Sequence, residues 1–386
     1  MAITKDQGSL NMDKFNLSYT SDADESKWLD ALKSFNDNNQ DARTFIEKYG
    51  LKEKKQFTLN LFDILKGEVT GRERSSAALY QTMVALRISL REIDASEVEI
   101  VAGGMPLFFK FGNVGEDNKT SIHSDEIRDE SMRCIVNCIA RTKSLNSLLD
   151  VCTEQLEQRT KDGFEASVIL GDLCRLMFTA TMHWGQLDRG VKIPVTEDDH
   201  NRIRRLLPTY KKIMTQHCTT DQPMYQVKLA LVSTLLNTPK SLYDEIVDHI
   251  PLSYLEEIFT IQSAFFDKPE APGEMIPITM LLANIAENVP ETRDPLKAFT
   301  FPSELIKETD EPLSVTIEPP KEAVTQGISS RLIPLMTSSD IGLKHFVSEF
   351  FYYICDEDAN EVCRLTGYGN AAGLLVSKGL MSLGGQ

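Results

Sequence analysis

The chain has 386 residues, with 41 Lys and Arg against 57 Asp and Glu, a formal net charge of −16. So acidic a balance argues against nucleic acid and anionic membrane as default partners, because both require clustered Lys and Arg. Hydrophobic residues make up 41% and charged residues 25%, ordinary for a globular chain, and the length suits one large core, two domains, or a stack of repeats that bury their faces on one another.

Residues 1–23 are polar and are expected to form a flexible N-terminal segment without the apolar core of a signal peptide. From Glu25 the apolar residues Trp28, Leu29, Leu32 and Phe35 recur at helical spacing. A second stripe, Phe57, Leu61, Ile64 and Leu65, ends near Gly67, and Glu73–Asp94 carries Leu79, Met83, Leu86 and Leu90 on one face. Further helices are expected over Glu126–Arg141, Leu145–Gln158, Glu165–Trp184, Glu197–His217, Tyr225–Leu236, Leu242–His249, Ser253–Phe266, Glu274–Asn288, Lys321–Met336, Ile341–Cys355 and Ala359–Leu365. Strand-like alternation is nearly absent; Leu313–Ile317 is the best instance, and it stands alone. No apolar run approaches the ~18–20 residues that span a bilayer.

The class is therefore all-α. Many short helices joined by polar turns predict an armadillo/HEAT-like right-handed helical solenoid over residues 24–386, with units of ~40–47 residues. Ser131–Ala140 reads as the third helix of one unit, with Asn137 near its middle, and Lys228–Asn237 repeats that form about a hundred residues later. The rhythm is interrupted at Gly112–Ser124, at Asp267–Gly273 and over 288–320, an acidic and proline-rich insertion expected to hold no long helix. The seven cysteines, an odd number set mostly in apolar helices, point to buried thiols in a reducing, cytosolic setting. Cys134 and Cys138 lie one turn apart, but no histidine has zinc-motif spacing beside them, so core thiols are expected and no metal or cofactor.

The C-terminal block is more specific. Ser330–Met336, Gly342–Phe351 and above all the unbroken run Thr366-Gly-Tyr-Gly-Asn-Ala-Ala-Gly-Leu-Leu375 resemble the end of the armadillo core in the synembryn family of Gα chaperones and exchange factors. Weaker likeness at Leu86–Arg91, Cys134–Asn137 and Leu235–Pro239 extends it over roughly residues 25–381. The resemblance implies a protein that binds Gα subunits in GDP-bound or nucleotide-free form, taking their C-terminal helix into a groove and promoting GDP release. It implies no covalent chemistry, hence no enzyme and no catalytic residue. It also implies a cytoplasmic monomer drawn to the cell cortex through Gα. A peptide-binding adaptor without exchange activity is the alternative.

Each candidate residue has a structural alternative. Arg87 and Arg91, four apart, would share a helix face and grip carboxylates of a partner's C-terminus, as the family's corresponding arginines do, or lie solvated beside Glu92 or Glu97. Asn137 would bond a bound backbone, or serve as an internal cap or inter-helix hydrogen bond; Asn237 would bond a bound backbone, or cap its helix. Phe178 aligns with a family aromatic on the groove wall, against a place in the core, with Arg175 the more exposed of the two. Gly367, Tyr368, Gly369, Asn370 and Gly373 lack the spacing of a phosphate-binding loop and follow a helix, so they read as a tight turn with close helix packing. His183 has no paired acid or nucleophile, and Glu197–His200 reads as a helix N-terminus.

Overall fold

The computed structural model describes residues 25–40, 46, 49–69, 71, 73–112, 124–142, 146–161, 163–164, 167–182, 184, 187–188, 191–192, 195–264, 271–306 and 317–380. The expected N-terminal segment, His183, most of Leu313–Ile317 and most of the Gly112–Ser124 loop lie outside the described residues. The chain divides into two compact units, Met1–Gln158 and Arg159–Gln386.

The first unit holds α1 (Glu25–Asn39), α2 (Leu51–Val69), α3 (Ser76–Ser89), α4 (Val98–Phe111), α5 (Asp125–Thr142) and most of α6 (Asn146–Lys161). Helices α1, α3 and α5 pack in succession, while α2 and α4 lie against them and each other. Helix α3 is buried nearly all round, from Ala78 through Met83 to Ile88, because it sits between layers. Its start is fixed by Ser75, whose hydroxyl accepts from the Ala78 amide. Sequence pattern alone does not mark α4, since Gly103, Gly104 and Pro106 break it up. Gly104 is there for packing: a Cβ would fall 2.2 Å from the Phe62 ring of α2. Gly67 does not stop α2, which continues to Val69.

The second unit holds α7 (Ser167–Thr181), α8 (Glu197–Met214), α9 (Pro223–Leu236), α10 (Tyr243–His249), α11 (Leu252–Ser263), α12 (Ala271–Asn288), α13 (Arg293–Thr300), α14 (Ser303–Ile306), α15 (Lys321–Thr325), α16 (Ser329–Leu332), α17 (Ile341–Ile354), α18 (Ala359–Thr366) and α19 (Tyr368–Ser377). A two-residue antiparallel ladder, β1 (Leu187–Asp188) with β2 (Val191–Lys192), is the one piece of sheet among the described residues. Helices α7, α9, α12 and α17 pack in succession, and α9 is buried along most of its length. Helix α8 is amphipathic: Ile203, Leu206, Tyr210 and Ile213 face inward, and Thr196 forms a capping box with Asp199. The acidic cluster Glu197–Asp199 is thus a helix N-terminus.

The proline-rich stretch from 288 is no insertion at its start. Asn288-Val289-Pro290, a 3-10 turn, α13 and Phe301-Pro302 copy Asn237-Thr238-Pro239, a 3-10 turn, α10 and Ile250-Pro251. Ile250 and Phe301 are both extended, as a residue before proline must be, and this ends each helix at the same point. Among the described residues the chain is thus an all-α array of repeats. The long helix expected over Lys321–Met336 is broken instead, because Gly327 has φ +68° and Pro334 lies in a 3-10 turn.

Ion pairs tie the last repeats together. Arg293 donates to the Ala286 carbonyl and pairs with Asp356 and Glu357, two successive non-glycine residues at φ +55° and +62°. Glu361 accepts from Lys297 and Arg364 at 2.6 Å each, and Arg364 also donates to the Leu305 carbonyl. Burial pushes the Glu361 carboxyl up, but hydrogen bonds and charge from Arg364 and Lys297 outweigh it and hold it below its ordinary 4.5. A depressed folded-state value means stability present above pH 4.5 and lost as pH falls through the folded value. Urea melts of this unit should therefore weaken on acidification below about pH 4.5, and Glu361→Gln should flatten that acid limb while lowering stability at pH 7. An unchanged acid limb in the variant would contradict the assignment.

Candidate functional site

The inner helices of the two units carry the same inter-helix clasp. In the first unit Asn137 Nδ2 on α5 donates to the Arg87 carbonyl of α3 at 3.0 Å, and Cys134 Sγ donates to the Met83 carbonyl at 3.5 Å. In the second, Asn237 Nδ2 at the end of α9 donates to the Phe178 carbonyl of α7 at 2.8 Å and to Thr181 Oγ1 at 3.1 Å, and Thr234 Oγ1 donates to the Cys174 carbonyl at 2.8 Å. Donors three apart meet acceptors four apart in each case. For Asn137 this is the inter-helix bond named as its alternative, while Asn237 is the C-cap of α9, the alternative named for it, and adds an inter-helix bond, so both side-chain amides are engaged within the fold. Asn237→Ala should cost about 1–2 kcal/mol in chemical denaturation, the net worth of one to two such bonds; no loss would mean that the clasp is slack.

The structure separates Arg87 from Arg91. Helix α3 ends at Ser89, with Leu90 as its C-cap, so Arg91 lies in the following turn rather than one helical turn along the same face. Its guanidinium donates to the Gln40 carbonyl. Arg87 turns instead to α5, where its Nε donates to Glu130 Oε2 at 2.5 Å. Glu130, only 5% exposed, also accepts from Arg133 at 2.6 Å. A pair on one helix face is therefore not what these arginines form, because the helix stops between them.

Arg175, Phe178 and Asn237 are brought together. Arg175 is 54% exposed and pairs with Asp172 on its own helix, while Phe178 is half-buried rather than in the core. Both line a cleft of about 240 Å³ whose floor is Leu229, Ala230 and Val232 of α9 and Ile278 of α12, with Gln226, Ser233 and Pro277 at its sides. A second cleft of about 420 Å³ begins on the other side of Arg175 and Gln226 and runs past Val168, Gly171 and Val227 to the start of α9 at Gln222 and Pro223. Together they form a trough of mixed lining, with Arg175 and Gln226 at mid-length, Phe178, Leu229 and Ile278 at one end and Val168, Thr220 and Asp221 at the other. At the Phe178 end such a lining takes apolar side chains, with the Arg175 guanidinium beside them to meet a carboxylate. Glu130, Gln226 and Ile278 carry no signal in sequence, since only the stacking of α5 on α3 and of α12 on α9 gives them their place.

The glycine-rich run has a structural explanation. Gly367, with φ +79°, joins α18 to α19, and a Cβ there would lie 2.5 Å from Pro319 N. The Gly369 amide donates to the Ile317 carbonyl at 3.0 Å, and Asn370 Nδ2 to the Thr366 carbonyl at 2.8 Å. Tyr368 is partly exposed, and Gly373 has nothing within 4 Å of an added Cβ, so packing does not require glycine at 373. Burial pushes the Cys138 and Cys174 thiols up to about 12, so neither is a thiolate at neutral pH. No group of metal-ligating side chains occurs among the described residues, and no helix among them is long and apolar enough to cross a membrane.

The profile of the family described as guanine nucleotide exchange factor synembryn matches residues 115–385. The chain belongs to the synembryn family. Among curated synembryn relatives it is similar to the chaperone Ric-8A of Xenopus tropicalis, 23% identical over 84% of this chain and 59% of that protein. It is also similar to chaperone Ric-8A of Gallus gallus, 36% identical over 28% of this chain and 18% of that one, and to chaperone Ric-8B of Mus musculus, 42% identical over 15% and 11%. The chain thus spans about three fifths of the length of the Xenopus synembryn that it matches. The trough, α7, α9 and the glycine run all lie within the residues that the synembryn profile covers.

Proposed function

We propose that this chain captures Gα subunits through their C-terminal helix, acting as a cytoplasmic chaperone and guanine-nucleotide exchange factor without covalent catalysis. The observation that supports the reading is the trough with Arg175 and the apolar Phe178 end on α7, set inside the span matched by an exchange-factor family. An amphipathic helix laid in such a trough reads as apolar anchors at helical spacing with a carboxylate against the guanidinium. Exchange then needs only differential affinity: the chain binds nucleotide-free Gα more tightly than the loaded form, and each ~1.4 kcal/mol of difference is tenfold. By linkage, the nucleotide weakens the chain's hold and GTP releases it. The test is release of labelled GDP from purified Gα subunits: acceleration supports the reading, capture without acceleration leaves a peptide-binding adaptor, and absence of both contradicts it.

A further inference from the structure

Helix α19 packs on α18, on the 3-10 turn Ile333–Thr337 and on α17, but of its residues only Ala371, Leu374 and Leu375 are buried. The residue that ends it is a cation turned back to α17. Lys378, the C-cap of α19, brings Nζ to 2.7 Å from Glu349 Oε2 and to 4.7 and 5.2 Å from the centroids of the Tyr352 and Tyr353 rings. Those rings stand edge to face, 5.9 Å apart, so one ammonium meets two aromatic rings and a carboxylate. Glu349 is 14% exposed and Lys378 24% exposed, which spares the contact much of the screening that weakens surface pairs. The receiving side is held in place without Lys378. The Tyr353 hydroxyl lies against both the Glu349 and Glu287 carboxylates, and burial together with these charges holds its phenol above the ordinary 10.0. Glu287 in turn accepts from Lys240 at 2.8 Å.

Aromatic faces beside a carboxylate are the chemistry that recognises an alkylammonium, and all three groups that meet Nζ belong to α17. We infer that Glu349, Tyr352 and Tyr353 form an alkylammonium cage whose ligand in this chain is Lys378, and that the occupied cage fastens α19 to α17. What the cage reads is the charge at Nζ, which makes Lys378 a modification site with a structural readout. Acyl transfer from a thioester forms an N–C bond as the thiol and a proton leave. The neutral amide suits neither the carboxylate nor the rings, and α19 then keeps only its three buried side chains. Methylation keeps the charge, and the cage stays occupied. The inference stands apart from the Gα reading, because none of these groups lines the trough.

Hydrogen exchange of the whole chain, followed by mass spectrometry, tests this with α19 as the reporter and α9 as the reference. Lys378→Gln, neutral like the acylated lysine, should exchange its α19 amides about tenfold faster than the native chain, because protection of a terminal helix follows its local opening. Lys378→Arg should stay close to native, since a guanidinium also stacks on tyrosine and pairs with a carboxylate. In Lys378→Ala, n-propylammonium replaces the atoms removed. On the order of 0.1 M of it should restore α19 protection, where sodium chloride at the same concentration does not. Unchanged α19 protection in Lys378→Gln, or an acceleration shared with α9, overturns the fastening. Rescue by sodium chloride as good as by n-propylammonium, or rescue by neither, overturns the cage as a binding site.

Discussion

Lys54→Ala is expected to destabilise the first unit by about 3–5 kcal/mol. Lys54 on α2 and Glu97, at the turn that opens α4, are 1% and 2% exposed and meet at 2.6 Å. Both Glu97 oxygens accept from the ammonium, and one of them also accepts the Asp94 amide. The carboxylate thus holds α2 and closes the capping box of that turn. Removing the lysine leaves an uncompensated buried charge, which costs more than the pair contributes. The double variant Lys54→Met with Glu97→Leu should therefore be more stable than either single change, since apolar replacement of both partners removes the desolvation penalty as well. Chemical denaturation followed by tryptophan fluorescence reads this through Trp28, buried in the neighbouring α1. A single change that leaves the midpoint unmoved would mean that water reaches the pair.

The second large effect is at the glycine run. Gly367→Ala should cost roughly 2–6 kcal/mol, of which about 1–3 is the left-handed backbone and about 1–3 the overpacking of a Cβ against Pro319 N at 2.5 Å. The obstacle is the Glu318–Pro319 peptide with the proline ring closed onto it, so no flexible side chain can swing away. Gly373→Ala, four residues from Gly369 in the same helix, has open space around its Cβ and should be neutral or slightly stabilising. Thermal melts of the two variants should therefore separate widely although both glycines belong to one ten-residue motif. Equal melting temperatures would show that the Ile317–Pro320 segment does not lie against α19.

Much of the architecture is legible in the order of residues because each inner helix is buried by its neighbours in sequence. Apolar periodicity marks α9, α10, α12 and α17 to within a few residues, and Pro239, Pro251, Pro290 and Pro302 punctuate two copies of one repeat. Composition misleads where prolines stand between short helices: 288–306 looks like a linker but packs as a repeat. It also misleads at α4, where glycines that admit the Phe62 ring look like helix breakers. The candidate site is less legible. A four-residue spacing puts Arg87 and Arg91 on one face only if the helix continues, and α3 ends at Ser89. Glu130 is 43 residues from Arg87, and Lys54 is 43 from Glu97, separations at which no local pattern signals a contact. Reversing Arg87 would therefore strand Glu130, and its effect on binding would be mixed with lost stability.

In the proposed function the Arg175–Phe178 trough holds a Gα helix. Its most direct measurement is capture of purified Gα on the immobilised chain, comparing the native protein with Phe178→Asp and Arg175→Glu after confirming that both variants melt as the native chain does. Retention of Gα by the native chain, its loss on adding GTP and magnesium, and at least tenfold weaker capture by both variants are the predicted results. Capture by the variants equal to the native chain, or a complex indifferent to GTP, would contradict the account.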